Sequence, residues 1–260
     1  SKTNRKTGAS ASTGNWCAAA FGDAIIATNY LDNVQSSVSG ALTDLTGTGS
    51  PPKARLVAAN QNFVMVADYV NGGTYQDGWW CSGIGNHTSW TANPLVTQAT
   101  NGRLLDVPGP IKALVPFKDA FIAFKDNAII VMEYIGPPLV WSARTVHASI
   151  GCHGMHGVAE LRGILYFLHS SGVYAFDGAN VASIGDPVEN TMLLLLNQID
   201  RNNGPTQTIA YDADIANVQV VCDDVENVVW FFFTSRETNP NYPGEGTEYS
   251  CKLYGFGYNV

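Results

Sequence analysis

The chain has 260 residues, with 14 Lys and Arg against 22 Asp and Glu, a formal net charge of -8 and a pI near 4.9. This acidic balance lacks the positive field on which phosphate binding depends, and it argues against sequence-specific recognition of nucleic acid. A content of 45% hydrophobic and 14% charged residues, with 26 Gly and 12 Pro, is typical of a packed, turn-rich β protein and not of a disordered or helical one.

The cysteines and the apolar runs bear on disulfide bonding and on membrane insertion. An odd number of widely spaced cysteines argues against a disulfide framework and favours assembly in a reducing cytoplasm. These are Cys17, Cys81, Cys152, Cys222 and Cys251. No signal peptide opens the sequence, and no apolar run reaches the roughly 18–20 residues that a membrane span needs. The polar start, residues 1–14, is expected to be flexible.

Strand-like segments rich in Val, Ile, Phe and Tyr recur in pairs that read as hairpins bounded by Gly, Asp or Asn. Five such units follow one another along the chain. They span residues 16–30, 54–83, 111–147, 157–185 and 215–260, the last with a Pro- and Gly-rich loop before its closing strand.

The fourth unit shows the pattern most fully, because three tight turns join four short strands. The turns are predicted at Arg162-Gly163, Ser171-Gly172 and Asp177-Gly178. The units recur at intervals of roughly 40–60 residues, which is the range expected of four-stranded propeller blades. The sequence therefore predicts an all-β, propeller-like array of about five antiparallel blades that forms a single domain over residues 1–260.

One segment departs from the β pattern. Asp186 is placed as an N-cap, Pro187 at the first helical position and Glu189 three residues after the cap. A short helix is predicted over residues 187–199. The apolar run from Met192 to Leu196 indicates burial in the core or at a contact between subunits.

Two groups of residues could in principle bind metal ions. His147, Cys152, His153 and His156 form the one concentration of soft ligands, but their spacing matches no strong zinc motif. Asp212 and Asp214, and Asp223 and Asp224 with Glu226, could bind calcium or act as paired glycosidase carboxylates. Each acidic group lies at a predicted strand end or turn, where Asp side chains commonly satisfy backbone groups. We therefore predict no metal and no cofactor.

The aromatic residues Trp79, Trp80 and Trp90 surround a tight loop at Ser82 to Asn86. Two interpretations remain open for them. They could form a patch that stacks on sugar rings, or they could fill the wedge between blades. The sequence contains no GxSxG, HExxH, Walker A or GxGxxG motif, and we predict that the protein is not an enzyme.

Four short elements between residues 78 and 190 consist largely of propeller turn residues. They are Trp80 to Trp90, Leu114 to Asp119, Tyr174 to Gly178 and Ser183 to Asp186. Through these elements the chain resembles the propeller-bearing tail hub or nozzle proteins of short-tailed bacteriophages, and the resemblance covers residues 78–190 best. Full-length nozzle proteins are generally much larger than this chain.

The resemblance implies a mechanical function in the virion tail. A ring of identical subunits, assembled in the host cytoplasm, would attach below the portal or adaptor and extend the channel through which genomic DNA is ejected. DNA would pass without sequence-specific binding, and Asp212, Asp214, Asp223 and Asp224 are candidates for the channel lining, because carboxylates repel the duplex. The alternative is a receptor- or carbohydrate-binding propeller of the virion.

Overall fold

A computed structural model describes residues 15–60, 62–152, 154–185, 218–238 and 249–260, with only the backbone described for 233–238 and 249–254. Every helix or strand element in these residues is a β-strand. The helix predicted over 187–199 and the polar start at 1–14 lie outside the described residues. In the described part of the chain, no helix has the length and hydropathy needed to cross a membrane.

The chain divides into two compact units, Ser1–Ser149 and Ile150–Val260. The first unit contains three antiparallel sheets in which each strand pairs with its neighbours in sequence. Sheet 1 comprises β1 (Cys17–Phe21), β2 (Ala24–Thr28), β3 (Gln35–Ser37) and β4 (Thr43–Asp44). Sheet 2 comprises β5 (Lys53–Ala59), β6 (Val64–Val70), β7 (Thr74–Cys81) and β8 (Thr100–Arg103). Sheet 3 comprises β9 (Ala113–Phe117), β10 (Ala120–Lys125), β11 (Ala128–Gly136) and β12 (Val140–His147).

The second unit contains two further antiparallel sheets. Sheet 4 comprises β13 (Val158–Leu161), β14 (Ile164–His169), β15 (Gly172–Phe176) and β16 (Val181–Ser183). Sheet 5 has three strands in the described residues: β17 (Gln219–Asp223), β18 (Val228–Thr238) and β19 (Tyr249–Asn259). The predicted all-β, propeller-like array of about five antiparallel sheets is confirmed.

The turns that join the strands follow the sequence signals closely. The predicted turn at Arg162-Gly163 is present, with both residues at positive φ. The turn between β14 and β15 is formed by Ser170 and Ser171, one residue before its predicted position, and Gly172 already belongs to β15. At the last turn, Asp177 Oδ1 accepts hydrogen bonds from the backbone N–H groups of Ala179 and Asn180, both at 2.8 Å.

The central strands of sheets 2 and 3 are buried on both faces. Every residue of β6 from Val64 to Tyr69 is buried, as are Phe121 to Lys125 of β10 and Ala128 to Met132 of β11. Because successive side chains of a strand point to opposite faces, a run of buried residues means that both faces are covered. In the second unit, sheets 4 and 5 share a core that includes Tyr166, Leu168, Val229 and Phe231.

Lys125 is a buried cation at the end of β10, with 0% of its surface exposed. Its ammonium group donates hydrogen bonds to the carbonyl oxygens of Leu104 at 2.7 Å and Val107 at 2.5 Å. Burial lowers the pKa of Lys125 from its usual value, because desolvation disfavours the charged form. The two carbonyl groups belong to the segment that connects sheets 2 and 3, so the ammonium fixes that connection.

The Asp177-Gly178 turn gives a direct stability test. Gly178 has a φ of +107°, a conformation that β-branched residues adopt only with strain. We expect Gly178→Val to lower the free energy of unfolding by about 1–3 kcal/mol in urea titrations. The exposed neighbour Ala179 offers a matched control, Ala179→Val, which adds similar bulk without the positive φ. Equal stability of the two variants would contradict the expected backbone strain at position 178.

Candidate functional site

The structure places two of the three predicted aromatic contact residues in the interior. Trp90 is 1% exposed and Trp79 is 7% exposed, so neither presents a ring to a ligand. Trp90 donates from Nε1 to the carbonyl oxygen of His87 at 2.7 Å. The half-buried Trp80 donates to the carbonyl oxygen of Trp90 at 3.1 Å. The sugar-stacking interpretation of this group is therefore wrong for Trp79 and Trp90, because their rings fill the interior of the first unit.

Of the four candidate channel residues, Asp212 and Asp214 lie outside the described residues. Asp223 ends β17, and its Oδ1 accepts hydrogen bonds from the backbone N–H groups of Val225 and Glu226, both at 3.0 Å. This is the turn role that the sequence offered as an alternative. Asp224 is exposed in the same turn. Their place in a channel lining stays a prediction.

The predicted soft-ligand group is not assembled into a metal site by the structure. His147 lies at the end of β12, and His153 is outside the described residues. Cys152 is buried, with its thiol directed at the carbonyl oxygen of Gly154 at 3.4 Å, and the backbone carbonyl of His156 accepts a hydrogen bond from Val220 at 2.8 Å. Within the described ranges, no three His, Cys, Asp or Glu side chains are placed to hold a metal ion.

An exposed apolar region is present at one end of sheets 2 and 3. We call it the apolar loop surface. Its members combine a large hydrophobic side chain with substantial exposure, and they come from the β7–β8 loop and the β11–β12 hairpin. They are Ile84, Leu95, Val96, Tyr134, Ile135 and Leu139.

The β7–β8 loop is held rigidly, although it is long. Asn93 organises its tip: its side-chain Oδ1 accepts from Val96 N at 3.2 Å, and its carbonyl oxygen accepts from Gln98 N at 2.9 Å. Ile84 N donates to the carbonyl oxygen of Thr97 at 2.9 Å and ties the start of the loop to its end. These bonds fix the loop backbone, so Leu95 and Val96 are exposed because the fold places them there.

A single hydrogen bond joins the two parts of the apolar loop surface. The hydroxyl of Tyr134 donates to Gln98 Oε1 at 2.6 Å. The Tyr134 ring contacts those of Phe63, at 5.4 Å between centroids, and Trp141, at 5.9 Å. Trp141 in turn donates from Nε1 to the Cys81 sulfur at 3.2 Å. An aromatic cluster with residues from sheets 2 and 3 thus supports the exposed side chains from below.

The apolar loop surface was not among the residues predicted from the sequence. Its signal was present in two turn segments, ANPLVTQ at 92–98 and YIGPPLV at 134–140, where large apolar residues stand beside proline. Proline and glycine predict a turn, and turn residues are usually polar because they face water. Leucine or valine at such positions indicates a contact surface.

A buried carboxylate lies at an irregularity of sheet 2. Asp68 interrupts the β6–β7 register with a φ of +49°, and it is 2% exposed. Its Oδ2 accepts from Arg55 Nε at 2.7 Å, and the Arg55 guanidinium lies 4.4 Å from the centre of the Tyr30 ring. Among the residues that the structure describes, none makes a hydrogen bond with Asp68 Oδ1. Burial raises the pKa of Asp68, and the Arg55 hydrogen bond offsets part of that rise.

The fold and the exposed apolar surface define the class of protein. It is an all-β, propeller-like module of five antiparallel sheets that presents an apolar region at its loops. No protein-family model matches the chain, and a search of curated proteins found no match.

Three solved structures are similar to parts of this chain at low sequence identity. The extracellular domain of a hybrid two-component system protein from B. thetaiotaomicron is 13% identical with a TM-score of 0.46, over 86% of this chain and 27% of that one. The computationally designed Ika4 protein is 14% identical with a TM-score of 0.41, over 71% and 100%. YCF48 from Cyanidioschyzon merolae is 10% identical with a TM-score of 0.40, over 88% and 67%. The chain thus spans about a quarter of the first of these proteins.

The raised pKa of Asp68 predicts a pH dependence of stability. The folded state binds this proton more tightly than the unfolded chain, so the stabilisation is present below the unfolded-state pKa and is lost as the pH rises through the folded-state pKa. We expect the stability of the wild type relative to Asp68→Asn to fall as the pH increases from about 3.5 to 7. Urea titrations across that range measure the difference. A relative stability that increases with pH would contradict the raised pKa.

Cys81 gives a second test of the interior. Burial raises the pKa of its thiol to about 11, against a small opposing effect of the Trp141 hydrogen bond. At pH 8 only on the order of one thiol in a thousand is then ionised, and the thiolate is the reactive form. We expect iodoacetamide to leave Cys81 unmodified in the native protein and to alkylate it in urea, as measured by peptide mass spectrometry. Equal labelling rates in both conditions would contradict the placement.

Proposed function

We propose that this chain is a structural, non-enzymatic subunit of a virus particle. The specific proposal is a tail nozzle or hub protein of a short-tailed bacteriophage that assembles into a ring of identical copies. The ring would contact the adaptor, portal or other tail proteins and extend the DNA-ejection channel. Two observations support the proposal: the resemblance of residues 78–190 to tail hub or nozzle proteins, and the apolar loop surface.

The apolar loop surface is the observation that carries the proposal. Leu95 and Leu139 are 70% and 69% exposed, and Val96 is 74% exposed. Burying one such side chain against a partner contributes roughly 1.5–3 kcal/mol, and contiguous apolar patches at rigid loops are typical of protein contacts. A second copy of the chain is the partner that a ring requires.

One element of the resemblance contributes to this surface, because Trp80 to Trp90 contains the exposed Ile84. The element Trp80 to Trp90 forms the base of the β7–β8 loop, where Trp90 is buried and Gly83 N donates to Ser89 O at 2.7 Å. Leu114 to Asp119 forms β9 and its turn. The motif from Trp80 to Trp90 thus holds the base of the β7–β8 loop through packing and turn geometry, which fits a mechanical function.

The acidic composition supports the part of the proposal that concerns DNA. A channel that releases DNA quickly needs few cations on its wall, because each phosphate contact adds salt-dependent affinity. The exposed Asp224 suits such a wall, whereas one carboxylate oxygen of Asp223 is engaged by backbone N–H groups of its turn. A carbohydrate-binding alternative based on Trp79 and Trp90 is not favoured, because both rings are buried.

Self-association of the purified full-length chain tests the proposal. We expect the wild type to associate at tens of micromolar or below. Leu95→Asp and Leu139→Asp are expected to weaken association at least tenfold, because each places a charge where the proposed subunit contact would bury an apolar side chain. Sedimentation velocity measures the association constants, and circular dichroism checks that the variants are folded.

The matched control is Val225→Asp, because Val225 is 87% exposed in a turn of sheet 5 and lies outside the apolar loop surface. This variant is expected to associate like the wild type. A wild type that stays monomeric at high concentration, or an association that Leu139→Asp leaves unchanged, would contradict the assignment of this surface to subunit contacts.

A further inference from the structure

Sheet 5 has one buried face and one exposed face. On the buried face, Val220, Val229 and Phe231 pack into the core that sheets 4 and 5 share. The strand register places the side chains of the exposed face in three rows across β17, β18 and β19. The rows are Gln219–Phe232–Gly255, Val221–Trp230–Gly257 and Asp223–Val228–Asn259.

Two aromatic rings form a flat strip on this face. The rings of Trp230 and Phe232 are nearly parallel, with an interplanar angle of 15° and 6.2 Å between their centroids. Trp230 is 39% exposed. We call these two residues the aromatic strip.

Glycine at the two facing positions of β19 allows the rings to lie flat. A Cβ atom at Gly255 would lie 2.9 Å from Phe232 Cε1, and one at Gly257 would lie 3.1 Å from Trp230 Cζ3. Any larger residue would lift the rings from the sheet. The aromatic strip therefore leans over backbone that carries no side chain at Gly255 and Gly257, and within the described part of the chain Trp230 is exposed and Phe232 is half-buried.

From this geometry we propose that the aromatic strip binds a neutral polysaccharide. Aromatic faces stack on the apolar CH face of a sugar ring, and two rings in line along a strand can contact successive sugars of one chain. The polar groups that sugar hydroxyl groups need stand beside the strip: the exposed side chains of Gln219 and Asn259, and the carboxylate of Asp223.

The composition of the three rows favours a neutral ligand. These rows contain no Lys or Arg that could bind an anionic glycan, and Asp223 adds a carboxylate to them. The face is also poorly suited to cover by a second β-sheet. Sheets that pack face to face interdigitate side chains across about 10 Å, and the β19 side of this face offers two glycines where such side chains would stand.

This inference does not rest on the virion function, and its test is separate. The full chain is run in native gels that contain soluble hydroxyethylcellulose, glucomannan, dextran or, as an anionic control, alginate. We expect retardation by at least one of the three neutral polymers and none by alginate. Trp230→Ala is expected to weaken the apparent affinity at least tenfold, and Gly257→Ala severalfold through displacement of the ring.

Val225→Ala is the matched control, since Val225 is exposed in the same sheet and lies outside the three rows, and it is expected to bind like the wild type. Retardation by no neutral polymer would overturn the proposal, as would retardation that Trp230→Ala leaves unchanged. If Trp230→Ala instead abolishes self-association in sedimentation velocity without any polysaccharide effect, the aromatic strip is a subunit contact and the proposal is wrong. Should Trp230→Ala fail to fold, Gly257→Ala alone decides between these outcomes.

Discussion

The fold of the first unit depends on one constraint: the central strands of sheets 2 and 3 are apolar on both faces. In sheet 3, the consecutive residues Phe121 to Phe124 and Ala128 to Met132 are buried, so neither face of that hairpin can be left in water. An isolated sheet of this composition would expose apolar surface on two sides and would not be stable. Sheets 2 and 3 therefore need neighbours on both faces, and the repetition of the sheet along the chain supplies apolar surfaces of the same kind.

This constraint also explains where the apolar side chains become exposed. Strand β11 is buried up to Met132 and exposed from Glu133 to Ile135, because the hairpin with β12 extends beyond the body of sheet 3. Its extension is joined to the β7–β8 loop by the Tyr134–Gln98 hydrogen bond. The interior cluster around Trp141 thus continues directly into a surface that faces solvent.

The sequence predicted the fold class and most of its turns, because period-two patterns and Gly or Asp punctuation act locally. It did not predict which face of each strand is buried and which is exposed. The run VVWFFF at 228–233 is apolar at every position, so its pattern alone could not show that Val229 and Phe231 are buried while Trp230 is exposed. The contact-patch prediction was wrong for Trp79 and Trp90 for a different reason. A tryptophan in a loop of the sequence need not lie at the surface, and Trp90 is buried with its indole N–H bonded within its own loop.

Lys125 connects two sheets through a linker that has no regular structure of its own. Its ammonium group holds the carbonyl oxygens of Leu104 and Val107, which would otherwise lack these donors. Loss of β10 would leave those carbonyls unpaired, and loss of the linker would leave a buried charge without partners, at a cost of several kcal/mol. We therefore expect sheets 2 and 3 to open together, as one cooperative unit, when the chain unfolds.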